Sequence, residues 1–283
     1  MTGRAGTLEF DAHGRRWRAA LDSAYDLAIP LEFDGPQPLF FAAEPAGATP
    51  LRAGSFTGSV ATGASCNCAT YTLAPHCHGT HTECVGHVTR ERTSLAALTP
   101  VPPLLALVLS VTPTPLGAAA RGPHAAATDP VIEREALVTA ARRWLDVPWR
   151  ALVVRTLPNL ESKRRHAYAG SSCPAPYFTA DAMRWVVERS VTSLVCDLPS
   201  LDRADDGGQL AAHRIFWGLP AGAVDAARAT RSDALVTELA FVPDTVADDL
   251  YLLDLHVPAF VADAAPSRPV LYPVEELAPD AHA

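Results

Sequence analysis

The stretch LLALVLSVTP at 104–113 is apolar at consecutive positions, not alternate ones, and is rich in leucine and valine. A strand of this kind needs cover on both faces, as a central strand of an α/β sheet has. RALVVRTL at 150–157 repeats the pattern. Between the two, IEREALVTAARRWL at 132–145 has helical spacing, and TADAMRWVVERS at 179–190 has it again before the strand-like VTSLVC at 191–196. The recurring order strand, helix, strand predicts an α/β fold in which helices flank a mixed β-sheet.

Toward the N-terminus, TLEF and RRWRAAL flank DAHG, which reads as a hairpin, and DLAIPLEF at 26–33 reads as a second short strand closed by DGPQP. Residues 34–50 are rich in Pro, Gly and Ala and are expected to form a loop. SCNCATYTL at 65–73 has alternation and β-forming residues, so a strand is expected to run straight into residues 76–87. The segment 114–130 is expected as an exposed loop. No internal repeat or linker is visible, so residues 1–283 are read as a single domain.

A formal charge of −8 and no long basic run argue against a nucleic-acid partner or an anionic membrane surface. VPPLLALVLSV at 101–111 is broken by prolines and a serine before bilayer length, and MTGRAGTLEF lacks the apolar core of a signal peptide. A soluble cytoplasmic protein is expected. In that compartment thiols stay reduced, so the six cysteines are read as small apolar residues or metal ligands, with Cys66 and Cys68 assigned to the core.

Residues 76–87, HCHGTHTECVGH, hold four histidines, two cysteines and a glutamate. On an extended chain Cys77, His81, Glu83 and His87 share one face; on a helix they do not. Residues four apart on a straight strand lie about 13 Å apart, too far to share a metal, so the chain must bend, and Gly79 and Gly86 sit between the relevant pairs. Imidazole, thiolate and carboxylate together suit zinc, with manganese or iron favoured as carboxylates dominate. His13, His124, His166, His256 and His282 are read as ordinary polar residues, and Cys84, at an even position, as packed away from the cluster.

CHGTHTECVGH resembles the HxGTHxDxPxH signature of the cyclase-like metal hydrolases, a family that includes bacterial kynurenine formamidases and isatin hydrolases. Gly79, Thr80 and His81 match outright. The signature's first histidine falls on Cys77, its aspartate on Glu83, its proline on Val85 and its last histidine on His87. DLAIPL at 26–31, CDLPSLD at 196–202, QLAAHRIFWG at 209–218 and APSRPVLYP at 265–273 are similar to further family elements in the same order. The downstream glutamate ligand falls on Glu238 in LVTELAF.

The resemblance implies a domain of the swivelling β/β/α type and a site for one or two divalent metals, zinc foremost and manganese next. It implies that Cys77, His81 and Glu83 hold one metal, that Glu83 and Glu238 bridge, that His213 completes the second, and that His87 moves protons. With cysteine at 77, His76 or His78 is an alternative ligand, and glutamate at 83 adds roughly 1.5 Å of reach over aspartate. Phe40 and Trp217 are candidates for an aromatic substrate pocket. The family also implies a small-molecule substrate and a homo-oligomer, dimer or tetramer.

Asp197, Ser200 and Asp202 have no G-x-S-x-G elbow around them and are read as a hydrogen-bonded turn after a strand. GGQL at 207–210 lacks the spacing of a phosphate loop. The function expected is hydrolysis of a C–N bond in a small amide, formamide or cyclic amide. The alternatives are a cyclase or lyase reaction on the same centre, and a metal-dependent binding protein without turnover.

Overall fold

Successive residues of Leu104–Val111 point to opposite faces: Leu105, Leu107 and Leu109 join one buried apolar cluster, Ala106 and Val108 another. The computed structural model describes residues 6–98, 100–117, 125–168 and 174–278, so Cys173, His124 and His282 lie outside the described residues.

Among the described residues eleven strands form one mixed sheet. In chain order they are β1 (Thr7–Ala12), β2 (Arg15–Ala20), β3 (Tyr25–Asp26), β4 (His81–Glu83), β5 (Leu104–Val111), β6 (Ala151–Thr156), β7 (Ser193–Cys196), β8 (Leu235–Glu238), β9 (Leu250–His256), β10 (Ala264–Pro266) and β11 (Arg268–Glu276). The spatial order is β1-β2-β11-β9-β5-β6-β7-β8-β4-β10, with β3 paired to β11. Strands β5 to β8 run parallel, and their neighbours on either side are antiparallel.

The α-helices among the described residues are α1 (Pro75–His78), α2 (Leu95–Leu98), α3 (Arg134–Ala141), α4 (Ala180–Glu188) and α5 (Ala211–Phe216). The last three lie in the connections between the parallel strands, as such crossovers require. Their buried apolar residues, among them Leu137, Met183, Trp185 and Phe216, all join the cluster that holds Leu107. The opposite face is covered without helices, by Leu27, Val242 and Val246 packed on Val108, Val153 and Val195. Thr179 starts α4 by accepting a bond from the Ala182 amide at 3.2 Å. No helix among the described residues is long and apolar enough to cross a membrane.

The expected hairpin forms, with β1 and β2 joined through His13 and Gly14, both at positive φ, the backbone of a tight hairpin turn. Several other expectations need correction. Of DLAIPLEF only Asp26 lies in a strand, the last residue of Tyr25–Asp26, and Ala28 bridges to Ala240; Pro30, two residues on, has no N–H to give a ladder. SCNCATYTL is a strand only at Ala69–Thr72, all four residues exposed, paired with Gly47–Pro50 outside the large sheet. Cys66 is exposed and Cys68 half-buried, so neither is a core residue. The segment 114–130 is not wholly loop: Thr114–Pro115 pairs with Pro130–Ile132, which pairs in turn with Tyr177–Phe178.

Candidate metal centre

β4 is only three residues long, yet it is paired on both edges, by β8 and by β10. Its period of two sends His81 and Glu83 to one face and Thr82 to the other, where Thr82 meets the Thr237 hydroxyl at 2.7 Å. His81 lies opposite Glu238 in the ladder. This single register places the signature histidine and the carboxylate from a distant segment side by side at the carboxyl end of β8. Sites in parallel sheets form at such ends.

The bends on either side of β4 arise differently from expectation. Pro75 opens the short helix α1, and Gly79 after it is fully extended, at φ 165° and ψ −170°, so no left-handed backbone is needed there. Gly86 lies in the 3₁₀ turn Val85–Val88, and a Cβ at that position would come 2.1 Å from the Thr93 carbonyl oxygen, so it serves close packing. That turn, and not a continued strand, carries His87 back toward Glu83.

Five of the expected residues come together. Glu83 Oε1 is 2.9 Å from His213 Nε2, and Glu83 Oε2 is 3.8 Å from His87 Nδ1. Glu238 stands between the two other imidazoles, with Oε2 3.5 Å from His81 Nε2 and Oε1 3.4 Å from His213 Nε2. The Leu201 amide donates to the same Oε1 at 2.8 Å and fixes it.

Cys77 is not in this group. Among the described residues, the sets of His, Cys, Asp and Glu whose ligand atoms lie within 4.8 Å of one another are His76, His81 and Glu83; His76, His87 and Asp263; and Glu83, His87 and His213. His76 takes the place expected for Cys77, with Nδ1 3.0 Å from Glu83 Oε2. The Cys77 thiol is buried, which pushes its pKa up. His78 is occupied elsewhere: its Nδ1 accepts from the Ala74 amide at 2.8 Å, and its Nε2 donates to the Glu44 carbonyl at 2.7 Å.

Phe40 and Trp217 are both buried and face other partners. The Phe40 ring packs on Phe41, at 4.2 Å between centroids, and on Tyr168. Trp217 donates its indole N–H to the Ala234 carbonyl and lies against the His213 ring at 5.5 Å. The hollow beside the centre, about 330 Å³, is lined instead by Leu73, Pro75, Phe260 and Pro266 around His76 and Asp263.

Sequence reading missed two carboxylates. Asp202 accepts His213 Nδ1–H at 2.7 Å, together with the amides of Ala212 and His213, so the residue assigned to a turn also orients a candidate ligand. Asp263 lies 3.0 Å from His76 Nε2 and 3.5 Å from His87 Nδ1. Its only sequence signal is its place just before the segment APSRPVLYP.

The buried donor atoms test whether the residues fit a cation. His81 Nε2, His213 Nε2 and both Glu83 oxygens are buried and make no hydrogen bond, although they lie close together. Buried polar atoms are rarely left so. These donors fall into two sets that share Glu83, one with His76 and His81 and one with His87 and His213, and a divalent cation in either set would satisfy the lone pairs that hydrogen bonding leaves open. The far nitrogens agree: His81 Nδ1–H donates to the Gly79 carbonyl at 2.9 Å and His213 Nδ1–H to Asp202, which leaves each Nε2 free to ligate.

Charge points the same way. Burial works to raise the Glu83 carboxyl, but His87 and His213 hold it well below the usual range. Burial works against a charged His76, yet Asp263 and Glu83 push it up to about 10; His213 is raised well above its ordinary value against the same burial, by Glu83 and Asp202. The carboxylates of Glu83, Asp202 and Asp263 thus favour positive charge among them.

Comparison with known proteins follows this geometry. The family model described as "Putative cyclase" matches residues 25–203, more than half of the chain, a span that contains His76 to His87 and stops short of His213, Glu238 and Asp263. Three solved structures are similar in fold. One is a predicted metal-dependent hydrolase from Bacillus stearothermophilus, at TM-score 0.53 and 14% identity over 88% of this chain and 98% of that one. Isatin hydrolase A from Labrenzia aggregata gives TM-score 0.58 and 14% identity over 88% and 93%. An isatin hydrolase bound to the product analogue thioisatinate gives 0.55 and 12% over 89% and 92%. No curated protein matches the sequence.

Proposed function

Because this chain belongs to the cyclase family, we propose that it is a metal-dependent hydrolase that cleaves the C–N bond of a small amide, formamide or cyclic amide. The observation that carries this reading is the set of buried, unbonded donor atoms on His81, Glu83 and His213. His76, His81, Glu83, His213 and Glu238 would hold one or two divalent ions. With imidazole and carboxylate and no thiolate in the set, manganese and iron suit it as well as zinc does. Such an ion, when bound, polarises a carbonyl and makes water acidic enough to attack at neutral pH.

The remaining work falls to the protein. Hydrolysis adds water across the C–N bond, so one proton must leave the attacking water and one must reach the departing nitrogen. Both transfers are assigned to His87 in this reading. It is 26% exposed, at the rim of the cluster with His76 and Asp263, and its Nδ1 lies 3.5 Å from Asp263 and 3.8 Å from Glu83. The hollow beside it is walled by Leu73, Pro75, Phe260 and Pro266, which would exclude water from an apolar substrate body.

The test is hydrolysis of an N-formyl arylamine by protein loaded with zinc or manganese. His87→Ala is expected to lose about 10²–10⁴-fold in turnover while keeping its bound ion. Turnover that survives chelation, or an unimpaired His87→Ala, would sink the reading.

A further inference from the structure

We propose that Asp263 is a positioning residue of the centre: it holds His76 by the outer ring nitrogen, so that His76 serves the cation in place of the signature position occupied by Cys77. This rests on the reading above that the cluster binds a divalent cation, and it goes beyond the family signature, which begins at position 77, and beyond the family match, which ends at 203.

Three imidazoles of the cluster share one plan. His81 has its outer nitrogen on the Gly79 carbonyl at 2.9 Å, His213 on Asp202 at 2.7 Å and His76 on Asp263 at 3.0 Å. In each case the inner nitrogen faces Glu83 or Glu238. A histidine ligand needs such an outer acceptor to fix its tautomer and ring plane. Asp263 therefore stands to His76 as Asp202 stands to His213.

The local backbone explains why position 76 and not 77 is used. Pro75 starts a helical turn, and successive side chains on a helix diverge by about 100°, so His76 and Cys77 cannot both face the centre. The His76 ring lies 5.2 Å from that of His81 and 4.3 Å from that of His87. Glu83 completes the change. One methylene longer than the signature's aspartate, it meets His76 through one oxygen and His213 through the other, at 3.0 and 2.9 Å. The departures from the signature at 77 and 83 thus form one compensated rearrangement, and Asp263 anchors it. The Asp263 carbonyl is itself pinned by the Cys84 amide at 3.0 Å.

Cobalt(II) titration of the full-length protein, followed by visible and near-ultraviolet absorption, tests this without reference to activity. The wild type is expected to bind cobalt with no thiolate-to-cobalt charge-transfer band, and Cys77→Ser to bind as the wild type does. Asp263→Ala is expected to bind about 10–100-fold more weakly and to shift the cobalt spectrum, with its thermal transition retained. Asp263→Asn, which keeps a side-chain acceptor, is expected to recover part of the loss. A thiolate band that disappears in Cys77→Ser, or Asp263→Ala binding with wild-type affinity and spectrum, would overturn the inference and leave the metal centre standing. Failure of the wild type to take up cobalt would overturn the metal-centre reading itself.

Discussion

Glu83→Ala is expected to abolish stoichiometric ion uptake. Glu83 is the residue on which the cluster converges: its oxygens lie 3.0 Å from His76, 2.9 Å from His213 and 3.8 Å from His87. Removing an outer-shell partner costs about 10–100-fold in affinity, and removal of a shared carboxylate should exceed that, because a negative charge and two donor atoms disappear together. Equilibrium dialysis with metal analysis reads the effect directly. A variant that retains the parent's stoichiometry and affinity would show that the imidazoles alone suffice.

The second large effect is expected at Asp197→Ala, in stability. Asp197 is buried just past the end of β7; its carboxylate accepts from the Thr156 amide at 2.9 Å, from the Thr156 hydroxyl at 3.1 Å and from the Lys163 ammonium at 2.8 Å. Burial raises its pKa, against the pull of Lys163, so the pair is a poor source of net stability while both partners are present. Removing one partner is another matter. It leaves the Thr156 amide without an acceptor and the Lys163 ammonium, which keeps its bonds to the Thr156 carbonyl and hydroxyl, without its counter-charge, and losses of this kind run to about 3–5 kcal/mol. Denaturant unfolding would measure it, and a loss below about 1 kcal/mol would mean that water replaces the carboxylate.

The parts of the fold legible in the sequence were those with a physical signature of their own. Leu104–Val111 and Ala151–Thr156 are continuous apolar runs and became central strands; the helical spacing at 134–141 and 180–188 became crossover helices. SCNCATYTL misled because exposed alternation does not say which sheet a strand will join. Within the site, His81 and Glu83 could be paired by a period of two, but whether position 76 or 77 faces inward depends on Pro75 starting a helical turn. Asp202 and Asp263 were illegible as site residues for another reason. An outer carboxylate is recognisable only through the ring it holds, and the pairing of Asp263 with His76 spans 187 residues.

That span has a mechanical consequence. The donors come from α1, from β4, from α5 and from β8, so an ion seated among them would rivet distant regions of the chain together. Occupancy would then govern heat resistance as well as turnover. A ligand at a hundredfold excess over its dissociation constant adds about 2.7 kcal/mol to a fold that alone can bind it. Melting temperature should therefore climb with free ion concentration, and should stop doing so once Glu83 is gone.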